Sequence, residues 1–227
     1  LHSLRRRQRQ MCIRDRNWQV MPLSKIKICG LTREEDIRYV NECLPDYIGF
    51  VFAESRRQVD RKQAGRMREK LDGRICPVGV FVNESADIVA ELLNEEIIDI
   101  AQLHGDEGED YIGLLKEKMK RGRIIQAVRV RQREDILEKL QSSADYLLFD
   151  TYAGQAYGGT GKTFRWELTQ GVEREFFLAG GIDSTNIEQA IRVAAPYALD
   201  LSSAVETDGK KDREKILEIV SKVRTYT

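Results

Sequence analysis

Two side chains capable of acid–base chemistry each end a short apolar run of the sequence. Cys29 closes the run 25–29, and Asp150 closes the run 146–150. If both runs are parallel strands of one closed barrel, the thiol and the carboxyl group project into the same mouth, since the chemistry of such barrels lies at the carboxyl ends of the strands. A thiolate can accept a proton and a carboxyl group can donate one. The ordinary alternatives are a buried apolar cysteine and a turn-capping aspartate.

The surroundings of the two groups favour these roles. Lys27 lies on the same strand face as Cys29, because side chains alternate along a strand. A nearby ammonium group lowers the pKa of a thiol, so we expect Cys29 to act as a base without a histidine partner. Partial burial at the rim favours the neutral form of a carboxyl group, which suits Asp150 as the acid. The other cysteines have no such placement and are expected to be inert: Cys12, Cys43 and Cys76.

Residues suited to anions follow three other apolar runs. Gly180 and Gly181 come after the seventh run, and Ser202 and Ser203 come at the end of the eighth. In β/α barrels these two loops often hold a phosphate group, since glycine allows backbone N–H groups to approach it and serine adds a hydroxyl donor. Arg57 follows the second run, where a guanidinium group would suit a substrate carboxylate. Taken alone, the glycine pair would indicate a turn, and the pair Arg56-Arg57 would indicate solvated surface charge.

Two further features are candidates for contact with substrate. The segment 158–163 reads Gly-Gly-Thr-Gly-Lys-Thr and resembles a nucleotide-binding loop, but no strand runs directly into it as that loop requires. We expect instead a glycine-rich lid in which Gly159 and Lys162 face an anionic substrate. His104 shares one strand face with Gln102, and we expect it to order the mouth by hydrogen bonding, with direct catalysis as the alternative.

The positioning elements are strand-like runs that alternate with helical stretches. The runs are short, rich in β-branched or aromatic residues and bounded by glycine, proline or polar residues. Three helices carry a candidate N-cap: Thr32, Ser85 and Ser184. Eight strand-like runs are present, at 25–29, 47–52, 75–82, 99–103, 124–130, 146–150, 175–179 and 198–202.

Eight alternations predict a single-domain α/β protein, a (β/α)8 barrel with a closed, parallel, eight-stranded sheet. The alternative is an open doubly wound sheet, but its GxGxxG fingerprint is absent after the first run. We predict that the barrel comprises 21–227, with Met21 as the natural start. The arginine-rich segment 1–20 is expected to be a non-native or disordered extension, and a basic arm or targeting peptide is the alternative.

Composition excludes several classes of partner. The 37 basic and 37 acidic residues leave a net charge of zero, so no overall basic field attracts nucleic acid or an anionic membrane. No apolar run approaches the roughly 20 residues that span a bilayer. The four cysteines show no CxxC spacing, and the sequence has two histidines. This composition argues against a zinc site or a disulfide framework. We therefore expect reduced thiols and a cytoplasmic location.

Taken together, the motifs resemble the phosphoribosylanthranilate isomerase family of tryptophan biosynthesis, over nearly all of 25–225. The fragments that carry the resemblance stand in family order: KICGLT (27–32), GFVF (49–52), SRR (55–57), VGVFVN (78–83), QLHG (102–105), GGTGKTF (158–164), LAGGI (178–182) and DLSSAVE (200–206). The resemblance implies an Amadori rearrangement of N-(5-phosphoribosyl)anthranilate to 1-(2-carboxyphenylamino)-1-deoxyribulose 5-phosphate, without a metal or an organic cofactor. It further implies a small-molecule substrate as the partner, and a monomer or homodimer.

The resemblance also assigns roles. It implies that Cys29 removes the C2 proton of the ribose, that Asp150 protonates the ring oxygen, and that Arg57 holds the anthranilate carboxylate. It also implies that the two loops Gly180-Gly181 and Ser202-Ser203 bind the phosphate group. One position departs from the family, which commonly has glycine where this chain has Ala204. If that position needs a positive φ, the alanine would strain the phosphate loop.

Other functions remain open from the residues alone. Indoleglycerol-phosphate synthase and a histidine-pathway sugar isomerase are phosphate-binding barrels that would share the last two loops. They should lack the cysteine after the first strand, and the histidine-pathway enzyme would have carboxylates at both catalytic strand ends. A non-catalytic barrel that binds phosphate esters would bind without turnover. A P-loop nucleotide hydrolase would instead bind ATP with magnesium.

Overall fold

The computed structural model of the chain describes residues 24–151 and 164–226, which form a closed parallel barrel of eight strands. This confirms the predicted fold, and each strand begins and ends within one residue of its predicted run. Pairing of the first strand with the eighth closes the barrel and sets Lys27 opposite Asp200. The strands are β1 Lys25–Cys29, β2 Tyr47–Val51, β3 Cys76–Phe81, β4 Ile100–Leu103, β5 Arg123–Val130, β6 Tyr146–Thr151, β7 Phe176–Leu178 and β8 Ala198–Leu201.

Helices follow most of the strands and cover the barrel. In the described interval between β6 and β7 there is a short 3-10 turn, Trp166–Thr169, and another, Ser203–Val205, follows β8. The α-helices of the described residues are α1 Glu34–Cys43, α2 Arg61–Lys70, α3 Ala86–Asn94, α4 Glu109–Lys118, α5 Arg133–Leu137, α6 Ile187–Ala194 and α7 Arg213–Tyr226. None of these helices is long and apolar enough to cross a membrane.

Helix capping agrees with the sequence prediction at one position and differs at two. Ser85 caps α3, and its hydroxyl accepts the N–H of Asp87. Thr32 does not cap α1, because the carboxylate of Asp36 accepts the backbone N–H groups of both Thr32 and Arg33. Ser184 does not cap α6, which begins later, with Asn186 at the N-cap. A carboxylate that satisfies two N–H groups moves the start of α1 by one residue from the predicted cap.

The barrel interior has an apolar floor and a polar layer above it. Inward-facing side chains of the strands fill the floor, among them Tyr47, Tyr146 and Phe177. Above them, the fully buried Lys27 ammonium donates to Asp200 Oδ2 at 2.8 Å, across the seam between β1 and β8. Burial acts to lower the pKa of Lys27, but the charges of Asp200 and Cys29 and the hydrogen bonds with them together outweigh burial, and the pKa is raised. The floor closes one end of the barrel and leaves the other open.

A two-stranded hairpin follows β8 and lies at the open end of the barrel. Its antiparallel strands, β9 Glu206–Thr207 and β10 Lys210–Lys211, place Glu206 directly opposite Lys211. The turn consists of Asp208 and Gly209, both with positive φ (51° and 76°). Asp-Gly is a preferred pair for such a two-residue turn, because both positions need the left-handed region.

Candidate active site

A cavity of about 490 Å3 opens at the carboxyl end of the barrel. The four side chains that the sequence predicted to act on substrate all line it: Cys29, Arg57, His104 and Asp150. So do the four residues predicted to hold a phosphate group: Gly180, Gly181, Ser202 and Ser203. The predicted lid residues, Gly159 and Lys162, lie outside the described residues, as does the predicted extension 1–20. The strand ends thus bring together residues that are up to 174 positions apart.

Cys29 is partly exposed at the end of β1. Burial raises the pKa of its thiol, and the charge of Lys27 offsets only part of that effect. The expectation of a lowered thiol pKa is therefore wrong. The cation is present, but Asp200 neutralises it and also acts to raise the pKa of the thiol. Space for the sulfur comes from Gly49, the partner of Cys29 on β2.

Asp150, near the end of β6, is held by Thr151 of the same strand and by His104, which follows β4. Its Oδ1 accepts the backbone N–H of Thr151 at 2.7 Å, and its Oδ2 lies 3.3 Å from Nε2 of His104. Nε2 of the buried Gln102 lies 3.0 Å from Nδ1 of His104. If Gln102 donates to Nδ1, the imidazole presents its Nε2–H to Asp150. A Cβ at Gly180, whose φ is 84°, would lie 2.7 Å from Oδ1, so glycine is required there.

Arg57 reaches the cavity across the backbone of Gly30, where a Cβ would collide with its side chain. Its Nε and Nη2 donate to the two carboxylate oxygens of Glu206, at 2.6 and 2.9 Å. Lys211 donates to the same carboxylate at 2.8 Å. Burial acts to raise the pKa of Glu206, but the hydrogen bond from Arg57 and the charge of Lys211 outweigh it and lower the pKa to about 2. Glu206 therefore stays ionised.

Sequence reasoning missed Glu206 and Lys211, although a signal for them was present. The Asp208-Gly209 pair is a strong short-range indication of a hairpin. In an Asp-Gly hairpin with a two-residue turn, the residues two positions before and two after the turn pair face each other. That register would have set the carboxylate of Glu206 against the ammonium group of Lys211.

The loops after β7 and β8 form the side of the cavity opposite β3 and β4. Gly180 and Gly181 have φ of 84° and 66°, conformations that glycine adopts without strain. Ser202 Oγ donates to the backbone carbonyl of Cys29 at 3.0 Å, which joins this loop to β1. The 3-10 turn begins at Ser203, and the first N–H groups of such a turn have no partner within it. Ala204 lies outside the positive-φ region, so the expected backbone strain does not arise.

A second cavity, of about 520 Å3, lies beside the loops after β3 and β4. Its lining is acidic and includes Glu84, Asp106, Glu107 and Asp110. Such a lining repels anions. Within residues 24–151 and 164–226, no three His, Cys, Asp or Glu side chains are grouped as a metal ion would require. The cavity at the carboxyl end of the barrel is therefore the candidate site for an anionic substrate.

A closed eight-stranded barrel with a thiol, a carboxyl group and anion-binding loops at one mouth has the architecture of a (β/α)8-barrel enzyme. Residues 26–222 match the family model of N-(5'phosphoribosyl)anthranilate (PRA) isomerase. The chain belongs to that family.

Relatives and solved structures agree with this family. The N-(5'-phosphoribosyl)anthranilate isomerase of Endomicrobium trichonymphae is 48% identical over 203 residues, which cover 89% of this chain and 100% of that protein. The enzyme of the same name from Thermoanaerobacter sp. (strain X514) is 45% identical, over 88% of this chain and 98% of its own length. The crystal structure of phosphoribosyl anthranilate isomerase from Thermotoga maritima superposes with a TM-score of 0.81 at 33% identity, covering 89% of this chain and 99% of that one.

A further solved structure is that of phosphoribosyl anthranilate isomerase in complex with reduced 1-(o-carboxyphenylamino)-1-deoxyribulose 5-phosphate. It superposes with a TM-score of 0.77 at 30% identity and covers 89% of this chain and 99% of its own. The ligand of that protein carries an aromatic carboxylate at one end and a phosphate group at the other.

Proposed function

We infer that this chain converts N-(5'-phosphoribosyl)anthranilate into 1-(2-carboxyphenylamino)-1-deoxyribulose 5-phosphate, the aldose–ketose isomerisation that names its family. One observation carries the assignment of the site. The thiol of Cys29 and the carboxyl group of Asp150 share a cavity with a guanidinium group and two glycine- or serine-containing loops. A substrate with a carboxylate at one end and a phosphate group at the other needs these groups, with an acid and a base between them.

The reaction requires one proton to be given and one to be taken. Asp150 donates a proton to the furanose ring oxygen as the C1–O bond breaks, which leaves an iminium ion between C1 and the anthranilate nitrogen. Cys29, as the thiolate, removes the proton from C2, and the electron pair of that C–H bond neutralises the iminium. The resulting enolamine becomes the ketone by tautomerisation. Hydrogen only moves within the molecule, so no external electron acceptor enters the balance. Each positioned group contributes about 10²–10⁴ in rate.

The surroundings of the two reacting groups orient the acid and raise the pKa of the base. Asp150 contacts the N–H of Thr151 through Oδ1 and faces His104 through Oδ2, so its orientation toward the cavity is fixed. His104 then positions the acid and remains a candidate for direct proton transfer. Burial raises the pKa of the Cys29 thiol, so that forming the thiolate is less favourable than for an exposed cysteine. A thiolate formed from a high-pKa thiol is a strong base, which helps it remove a proton from carbon.

We propose that different residues of the cavity bind the two ends of the substrate. We assign the phosphate group to Gly180, Gly181, Ser202 and Ser203, and the anthranilate carboxylate to Arg57. Gly159 and Lys162 lie outside the described residues and stay predicted candidates for contact with the anionic substrate.

The cellular setting follows from the chemistry of the thiols. Cys29, Cys43 and Cys76 are all free, which suits the reducing conditions of a cytoplasm and a base that must not be oxidised. We propose a cytoplasmic enzyme, monomeric or homodimeric, whose partner is its small-molecule substrate. Nucleic acid and membrane are not proposed as partners, because the net charge is zero.

The test is a direct assay of turnover. Phosphoribosylanthranilate is generated in the cuvette, and the loss of its fluorescence is followed with the wild-type protein and with Cys29→Ala as the control. We expect rapid conversion by the wild type only, with the deoxyribulose phosphate as the product by mass spectrometry. Binding of the substrate without turnover would contradict the proposed activity in favour of a binding protein. Formation of indoleglycerol phosphate would instead point to the synthase.

A further inference from the structure

Next to the proposed carboxylate site lies a buried ionic cluster that takes no part in the proton transfers. Glu206 and Lys211 have side chains that are only 5% and 1% exposed, and their charged groups lie 2.8 Å apart. Arg57 joins them through two hydrogen bonds to Glu206. Of these three residues, Arg57 alone lines the cavity. Burying charges is costly, so a cluster of this kind beside a binding site calls for a functional explanation.

The hairpin holds the ion pair rigidly. Glu206 and Lys211 are cross-strand partners, brought together by the two-residue turn at Asp208 and Gly209. The ammonium group of Lys211 also donates to the backbone carbonyl of Ser202 at 3.0 Å. The backbone carbonyl of Lys211 accepts from Arg33 Nη2 at 2.9 Å. The position of the Glu206 carboxylate is therefore fixed from the first and the eighth strand-end loops together.

One edge of the Arg57 guanidinium group is bound to Glu206, and another edge carries N–H groups unused by the described residues. Nε and Nη2 are used by Glu206, whereas Nη1 donates to no acceptor within residues 24–151 and 164–226. The stem of the side chain crosses Gly30, whose φ of 86° and lack of a Cβ leave the room that it needs. Only a limited set of orientations is open to a guanidinium group held in this way. The edge with the unused N–H groups is the one left for a ligand.

The charge balance of the cluster leaves Arg57 positive. Glu206 by itself would cancel the charge of Arg57 and repel an incoming carboxylate. Because Lys211 supplies a second positive charge to the same carboxylate, the buried ion pair is neutral and the charge of Arg57 remains available. Arg56 also contacts Glu206, at 3.0 Å, but its side chain is 61% exposed and it does not line the cavity.

We propose that Glu206 and Lys211 are positioning residues, which orient Arg57 and preserve its charge so that it binds the aromatic carboxylate of the substrate. This proposal rests on the proposed function, in which Arg57 receives that carboxylate. An orientation fixed before binding leaves less conformational entropy to be lost on binding. The hairpin then sets the selectivity for carboxylated substrates.

The test compares two ligands that differ by one carboxylate. One is reduced 1-(o-carboxyphenylamino)-1-deoxyribulose 5-phosphate, which binds a family member; the other is reduced 1-phenylamino-1-deoxyribulose 5-phosphate. Calorimetry gives the ratio of their Kd values for the wild type, Glu206→Gln, Lys211→Met and the double variant. We expect the variants to lose at least about tenfold in affinity for the carboxylated ligand, the scale of a charge-assisted hydrogen bond, and less than about threefold for the other.

Controls separate positioning from folding. The ligand without the carboxylate reports on an intact phosphate site in every variant, and thermal unfolding reports on stability. The double variant replaces a buried ion pair with neutral side chains of similar size, an exchange that often preserves stability. Arg56→Ala removes a contact to Glu206 outside the cavity, and we expect it to keep the wild-type ratio.

The outcomes distinguish this proposal from the proposed function. Wild-type ratios in Glu206→Gln and the double variant, with the ratio lost in Arg57→Ala, would overturn only the positioning role. Equal losses for both ligands would also overturn it, because the effect would then be structural. A wild-type protein that binds both ligands equally, or an Arg57→Ala variant that still discriminates, would overturn the carboxylate site itself.

Discussion

Gly49 lies directly opposite Cys29 across the pairing of β1 with β2, and its lack of a side chain makes room for the thiol. A Cβ at this position would lie 2.6 Å from Sγ of Cys29 and 3.1 Å from its Cα. Ordinary contact between such atoms begins at about 3.5 Å. Gly49 lies outside the positive-φ region, so alanine can adopt its backbone conformation. Gly49→Ala should therefore act sterically, by displacing the thiol of Cys29.

The size of the effect follows from the overlap. Sγ or the adjoining strand must move by roughly 1 Å, and a displacement of this size between reacting groups can lower the rate by about 10²-fold. We expect kcat to fall by about that factor. Overpacking should also destabilise the protein, by about 1–3 kcal/mol. Turnover is measured by loss of phosphoribosylanthranilate fluorescence, and stability by urea unfolding.

A matched control is available in the same chain. A Cβ at Gly113, within α4, would meet no atom within 4 Å. Gly113→Ala should leave kcat unchanged and stabilise the protein by about 0.5–1 kcal/mol, because glycine is unfavourable inside a helix. Adding Gly49→Ala to Cys29→Ala should cause little further loss of kcat, since no sulfur remains to be displaced. A Gly49→Ala enzyme with wild-type kcat would refute the steric argument.

Three other predictions concern the reacting groups and the ionic cluster. Cys29→Ala and Asp150→Asn should each lower kcat by at least about 10²-fold with smaller changes in KM; steady-state kinetics checks this, and near-normal turnover in either variant would remove that residue from the mechanism. Because the pKa of the Cys29 thiol is raised, its alkylation by iodoacetamide, followed by mass spectrometry, should accelerate about tenfold per pH unit from pH 7 to beyond 8.5, and a plateau below pH 8 would contradict the raised pKa. Glu206, with its pKa lowered to about 2, should stabilise the fold above about pH 4.5 and lose that contribution, on the order of 2–3 kcal/mol, as pH falls toward 2; urea unfolding of Glu206→Gln should show a shallower loss of stability over this range, and equal slopes would argue against the shift.

The barrel could be predicted from the sequence because its strands are short apolar runs with clear boundaries. The meeting of Cys29 and Asp150 then follows, since the carboxyl ends of parallel strands share one mouth. Of the three predicted helix caps, those at Thr32 and Ser184 were wrong. Thr32 and Ser184 have suitable side chains, but Asp36 accepts the backbone N–H groups at the start of α1, and α6 has Asn186 at its N-cap, whose side chain forms no cap. Local sequence alone does not show which of several nearby residues begins a helix.

The electrostatics of the site could not be read from spacing. Lys27 does share a strand face with Cys29, but the sequence does not reveal that Asp200 of the eighth strand neutralises it, or how strongly burial acts on the thiol. Glu206 was visible within the fragment 200–206 and had no assigned role. Its role depends on contacts with Arg57, which lies 149 residues earlier in the chain.

Because β1 pairs with β8, we expect activity only after the last strand of the chain has folded. Lys27, below the thiol, and its partner Asp200 are 173 residues apart, and Ser202 bonds to the carbonyl of Cys29 over the same separation. Contacts of such long range form late, because the loop that they close is nearly as long as the barrel itself. A nascent chain that has folded its first six or seven strands would hold the base without its electrostatic partner. Such partly made chains should be catalytically silent, so that turnover begins only when the first and last strands have joined.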